Sequence, residues 1–458
     1  MTEPHTTAGV PPTAATHRSV GVVLALAAVV GLVASLGAWA LLELIHQLQV
    51  GAFTKLPEAL GYDQAPDWWP LVILPVGGLV VAFAIARLPG AGGHVPAHGL
   101  ATTGTRPFEL PGVLLAALGT IGLGLVLGPE APLIALGGGL GVLGVRLLRR
   151  DEPEELSTLL GACGTFAALS LIFDSPIISA VILIEATGLG GERLPRVLVP
   201  GLLAAAIGSL ISIGMGSWTG LSASAYAMSA LPVPAFPRPA IGDFAWSIAL
   251  AVAIAVGVFA VLRAARRVES VVTPRPFVAL PIAGLIVAGL AVGFAQATDH
   301  GTADVLFSGQ DALPGLIAGA GTWSIGALAL VIACKGIAWS ICLAGFRGGP
   351  TFPAMFLGAA VAIMASRLPG YNLTPAIAVG IGAGVASVLR LPLSAALLAI
   401  VLTAGGGAGA MPLAVIGAVA AYLATLALDA RAVHPERAMP APAPAPTMAA
   451  SQSPGGHR

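Results

Sequence analysis

Continuous apolar runs, separated by short polar or Gly- and Pro-rich breaks, fill most of the chain. The first covers about 19–42 and ends just ahead of Glu43. Others follow at about 68–88, 110–127, 132–148, 156–173, 176–189, 196–215 and 244–264, then 276–296, 313–345, 353–367, 374–389, 392–404 and 411–428. Strands of a membrane barrel would alternate polar and apolar residues, and these runs do not. They predict helices. A bilayer-spanning helix needs ~20 residues, and several runs are shorter. Short apolar runs broken by Gly and Pro predict helices that stop inside the protein, where protein or water must cover the freed backbone groups. The first run is longer than a signal-peptide core and lacks a convincing cleavage site, so it reads as a membrane helix. Residues 1–18, rich in Thr, Pro and His, and 434–458, with "PAPAPAP" and "SQSPGGHR", read as disordered tails flanking a transmembrane domain over 19–433.

Composition sharpens this picture. Hydrophobic residues make up 57% of the 458 and charged ones only 9%, against about 25% charged in a soluble domain. The chain is expected to be an all-α polytopic membrane protein. A formal net charge of zero argues against nucleic acid as a partner. Cys163, Cys334 and Cys342 lie in apolar stretches with no CxxC spacing, so neither a disulfide framework nor a metal site is expected. No nucleophile–base pairing or phosphate loop stands out. An enzyme is not expected, and no cofactor is implied.

Two segments repeat. "GPEAPLIALGG" carries Pro132, Leu136 and Gly137, and "GGPTFPAMFLGAA" carries Pro353, Leu357 and Gly358 at one constant offset. Downstream, "IFDSPIISAVILIEAT" with Pro176 and Ala180 matches "VLRLPLSAALLAIVLT" with Pro392 and Ala396 at nearly the same offset. Elements recurring in one order predict two halves, about 19–220 and 240–430. In membrane proteins such halves are often inverted, with a site at their shared interface near the midplane.

In both first segments glycines precede a Pro at the start of an apolar run, which reads as extended backbone leading into a helix N-terminus. Such a terminus exposes free N–H groups and about half a positive charge. Two converging at membrane depth would bind an anion weakly enough to release it. Glu130 lies inside the first segment. Its carboxylate would compete for the same N–H groups, plugging the site and then swinging away. Other charges read more simply. Asp174 is expected to cap a helix, Arg390 and Lys335 to lie at the membrane interface, and His94 and His98, flanking Pro96, to be exposed loop histidines. Arg146, Arg149 and Arg150 are expected to mark a cytoplasmic loop.

"GLGLVLGPEAPLIALGGGLG" resembles the GxEGP segment of the CLC family of chloride channels and proton-coupled chloride transporters. "GGPTFP" followed by "AMFLGAA" resembles its GGxFxP segment, and "GAGGHVPAHG" more weakly its GSGIP segment, all in the family order. The resemblance spans about 20–428 and implies a CLC-like fold of two inverted repeats with short, broken helices. It implies a homodimer in a plasma (inner) membrane, each subunit with its own anion path. It places anion binding at Gly92, Gly93, His94, Gly128, Pro129, Ala131, Gly349, Pro350, Thr351 and Phe352, with Glu130 as gate. There are departures. Gly93 stands where the family has a serine ligand, Ala131 replaces a glycine, and Phe352 is shifted by one. No tyrosine follows Tyr422, so the last pore-lining helix is expected to be shortened or absent. The family's "IIEEM" is "LIEAT" here, which leaves Glu185 as a possible proton-path residue and puts Ala186 where the internal proton-transfer glutamate would be. The expected function is therefore passive, gated conduction of chloride. Proton-coupled chloride exchange, or a path for fluoride or nitrate, stands as the alternative.

Overall fold

A computed structural model describes residues 14–99, 104–148, 154–188, 190–191, 193–219, 228 and 230–433. Both expected tails lie largely outside the described residues, as do Arg149 and Arg150. Helix α1 (Ala14–Val50) begins ahead of the apolar run, so the N-terminal tail expected as far as residue 18 is shorter than that. A π-turn over 51–55 joins it to the short α2 (Leu56–Ala59).

The rest of the first half comprises α3 (Pro70–Arg87), α4 (Leu110–Ile121), α5 (Glu130–Leu148), α6 (Glu154–Phe173), α7 (Pro176–Thr187) and α8 (Arg193–Thr219). The second half begins with α9 (Ile241–Val272), α10 (Pro276–Ala297), α11 (Ala312–Ala318) and α12 (Ile325–Gly345). It continues with α13 (Thr351–Ala365), α14 (Leu373–Leu389), α15 (Pro392–Leu402) and α16 (Met411–Val433). No β-strand occurs among the described residues. Nine of the helices there are long and apolar enough to cross a membrane, while α7 and α15, at 12 and 11 residues, are not. The chain is an integral, multi-pass membrane protein. The run expected over 313–345 is two helices, because "GAGTWS" breaks it and Ser324 caps α12 through a bond from Ala327 N.

The halves repeat in three dimensions. The α5–α6 crossing brings Gly137 against Gly164, and the α13–α14 crossing brings Gly358 against Gly380. At all four positions a Cβ would collide with the facing glycine's carbonyl oxygen. Helices this close need glycine at the contact. Asp174 and Arg390, equivalent positions of the two halves, both adopt positive φ, at 47° and 60°, where α6 and α14 end. A third match joins the two found in the sequence. Leu74, Pro75 and Gly78 of α3 recur with the same internal spacing as Leu280, Pro281 and Gly284 of α10. These helices pack on each other through those residues. A Cβ at Gly78 would meet Leu280 O at 2.5 Å, and one at Gly284 would meet Leu74 O at 2.6 Å.

Two expectations about charged residues are corrected, and a third gains a partner. Ser175, not Asp174, caps α7, its Oγ accepting from Ile178 N, because Asp174 is already committed to the left-handed turn. Arg390 is half-exposed and paired with Asp429 at 2.8 Å. Lys335 is not interfacial. It is fully buried, and Nζ donates to the carbonyls of Asp304, Val305, Leu306 and Phe307 at 2.9–3.3 Å. Four acceptors at the end of a turn replace water for one ammonium.

The glycine crossings yield a stability prediction. Gly137→Val and Gly358→Val should each lower the thermal midpoint of the detergent-solubilised protein, as overpacking by about 1–3 kcal/mol or more requires. Gly257→Ala, with open space around it, should leave the midpoint unchanged or raised.

Candidate functional site

Two non-helical segments, 125–129 and 346–350, lead into α5 and α13. They meet as a short antiparallel pair in which Gly128 and Gly349 exchange both hydrogen bonds, N···O 2.7 and 2.6 Å. Each is the other's counterpart in the repeat. A contact between equivalent residues running in opposite directions is what an axis relating two inverted halves produces. Backbone at this depth cannot rely on water, and the pairing satisfies it.

Glu130, the first residue of α5, is 1% exposed. Its Oε1 accepts from Thr351 N at 2.6 Å, on the first residue of α13. The carboxylate thus sits on the N-terminus of the helix that mirrors its own. Oε2 has no hydrogen-bond partner. Gly349 and Gly128 form the cradle, since a Cβ on either would strike the Glu130 side chain. Phe352 closes one side, near Gly128 and stacked on Phe173 with centroids 6.0 Å apart. Gly128, Pro129, Glu130, Gly349, Pro350, Thr351 and Phe352 are thereby brought together, all but fully buried, with Ala131 less so.

The stretch 90–94 comes in from a turn after α3. Gly90, Ala91, Gly92 and Gly93 all have positive φ, from 46° to 96°, which explains the glycine-rich sequence. It is linked to the second non-helical segment by Arg347, a side chain to which the sequence pattern gives no prominence. The guanidinium is buried, at 8% exposure, and donates to Ala91 O at 3.4 Å and to Gly345 O and Phe346 O at 3.1 Å. His94 Nε2 bonds Gly99 O at 2.9 Å. Partial desolvation holds the His94 imidazole below its usual range, the carbonyl of Gly99 opposes this, and the charges of His98 and Arg347 add to the lowering.

Glu185 lies elsewhere. Helix α15 lacks a cap of its own, because Leu391 stands where α7 has Ser175. The Glu185 carboxylate supplies it, accepting from Leu393 N at 2.9 Å and from Ser394 N and Oγ at 2.7 and 2.6 Å. Ala186 lines a cavity of about 310 Å³ together with His98, Arg266 and Arg390. His98 is paired there with Glu269 at 3.0 Å. No cluster of metal-ligating residues occurs among the described residues.

Known proteins agree with this architecture. The sequence matches the family described as voltage gated chloride channel over residues 77–425. Ion-transport protein YfeO of Salmonella schwarzengrund is 31% identical over 353 residues, covering 74% of this chain and 79% of that protein. Its Escherichia fergusonii namesake is 30% identical over 347 residues, covering 74% and 77%. Among solved structures, a slow cyanobacterial Cl−/H+ antiporter superposes with a TM-score of 0.71 at 19% identity, covering 89% of this chain and 94% of that one. A CLC-type fluoride/proton antiporter gives 0.66 at 19% identity, covering 90% and 96%. Two inverted halves joined at Gly128 and Gly349, and a sequence match that runs through both of them, place this chain in the CLC, or voltage gated chloride channel, family of anion-transport proteins.

Proposed function

We propose that the protein passes a small anion, chloride first, across a plasma (inner) membrane by a gated route in which Glu130 is the gate. The observation that carries this is the Glu130 carboxylate on Thr351 N, in a cradle that only glycine at 128 and 349 permits. An anion arriving at that helix N-terminus needs the same N–H groups. One negative group must leave for the other to bind. The orphan Oε2 makes the closed state costly, since a buried acceptor without a donor forfeits its hydration. Gly92, Gly93, His94, Gly128, Pro129, Ala131, Gly349, Pro350, Thr351 and Phe352 line the route in this reading.

The passage is passive in this reading. A proton crossing the interior needs an ionisable or water-bound station. Ala186 offers none, and both oxygens of Glu185 are taken up in capping α15. The solved neighbours titled Cl−/H+ and fluoride/proton antiporters make proton-coupled exchange the second reading, and fluoride or nitrate the alternative cargo. We also propose a homodimer built on α7, α8, α15 and α16. Ile177 and Leu393, equivalent residues of the two halves, stand 61% and 63% exposed there, and a second copy would cover them.

Purified protein in vesicles under a chloride gradient, with no pH gradient and the potential clamped, should release chloride without sustained proton movement. Uphill proton movement that Glu130→Gln abolishes identifies an exchanger instead, and absence of any anion flux overturns the reading. Glu130→Gln should raise chloride flux by up to about tenfold, the worth of one charge-assisted hydrogen bond. Gly349→Ala should act alike by expelling the carboxylate, and the double variant should exceed neither; unchanged flux in both variants would make Glu130 structural. Cysteines at Ile177 or Leu393 should cross-link subunits in a bilayer, and only monomers there would exclude the dimer.

A further inference from the structure

Two cations are buried among the described residues, and their bonding differs. Lys335 has three N–H donors, four carbonyl acceptors and the Phe356 ring 4.5 Å away. It is satisfied, and it staples the turn at 304–307. Arg347 is not. Of its five N–H groups, Nε reaches Ala91 O only at 3.4 Å and Nη1 serves Gly345 O and Phe346 O. Nη2 finds no acceptor among the described residues and is not fully enclosed. No carboxylate among the described residues lies within 4.0 Å of the guanidinium, and Glu269, which acts on it from farther off, is bound to His98.

A guanidinium charge cannot be shed, and burying it without a counter-charge is costly. Three carbonyl dipoles offset only part of that cost. The position of Arg347 suggests what supplies the rest. Its stem lies against Gly92, where an added Cβ would meet Cγ at 3.4 Å, and it is two residues from Gly349 in the pairing that cradles Glu130.

We propose that Arg347 is an anion-binding residue, its Nη2 giving a fixed positive charge and two N–H donors to a small monovalent inorganic anion beside Gly92. The assignment rests on the anion-passage reading above and adds its recognition element. A full charge holds an anion more tightly than helix dipoles do, so occupancy at low anion concentration is gained and turnover is slowed.

Flux measured against chloride concentration tests this. Arg347→Gln should raise the half-saturating concentration roughly tenfold, the loss expected for a charge-assisted hydrogen bond. Arg347→Lys, which keeps the charge, should raise it less. A purely structural arginine would lower the thermal midpoint and leave half-saturation and anion preference unchanged, which overturns the assignment. Bromide anomalous diffraction from the wild-type protein decides the matter if neither variant folds. A bromide peak within hydrogen-bonding distance of Nη2 supports the site, and bromide bound in the path with Nη2 bare overturns it. Bromide on Nη2 in a protein whose vesicles pass no chloride, bromide or nitrate would sustain the site and sink the passage reading.

Discussion

Backbone groups at membrane depth must find partners within the protein, and where helices stop this demand becomes acute. Helices α5 and α13 begin inside the protein, each preceded by non-helical residues that no helix ladder serves. The mutual bonds of Gly128 and Gly349 answer that demand. Everything around them follows from how close the two strands must come. Only glycine lets the strands lie against the Glu130 side chain, and only with them there can the carboxylate reach Thr351 N. Carboxylate and scaffold thus share a single contact. A side chain at either glycine would not merely crowd the site but change which group occupies the helix terminus.

The scaffold is symmetric and its chemistry is not. Glycine crossings recur in both halves, and so do the left-handed turns at Asp174 and Arg390. Yet Glu130 and Glu185 both belong to the first half, and each caps a helix of the second. Their counterparts, Thr351 and Val401, carry no charge. The second half offers helix termini, the first offers the acids that close them, and Arg347 of the second half reaches back to Ala91 of the first. Duplication explains the frame, and divergence at a few positions explains the polarity of the site.

Much of this was legible in the chain. Continuous apolar runs marked the helices, and glycines ahead of Pro132 and Pro353 showed where helices begin at depth. Glu130 drew notice as a lone acid in an apolar stretch. What stayed hidden depended on tertiary proximity. Lys335 sits in a run that reads equally well as interfacial, because four carbonyls gathered by a turn some thirty residues earlier cannot be seen in local pattern. Arg347 was masked by the glycines beside it. Glu185 drew attention through its family position, whereas its partners are set by an absence, the missing cap at Leu391. The α3 and α10 match at Pro75 and Pro281 is present in the sequence, but its offset differs from that of the other two repeats, so it does not stand out beside them.

Many transporters with inverted halves work by rocking one half against the other about a fixed site. Such rocking needs an interface that can slide. Here the surfaces between the halves are keyed together at two places. Gly78 and Gly284 each lie against a carbonyl of the opposite helix, and Gly128 and Gly349 are bonded face to face. Sliding by even one residue would drive backbone into backbone or break the paired bonds at a depth where nothing replaces them. For the passage proposed here, this frame favours a cycle carried by rotamer changes of single side chains, on the short timescales such changes allow. In the proposed gating by Glu130 the moving part is a carboxyl group, and the rest of the protein serves as its stator.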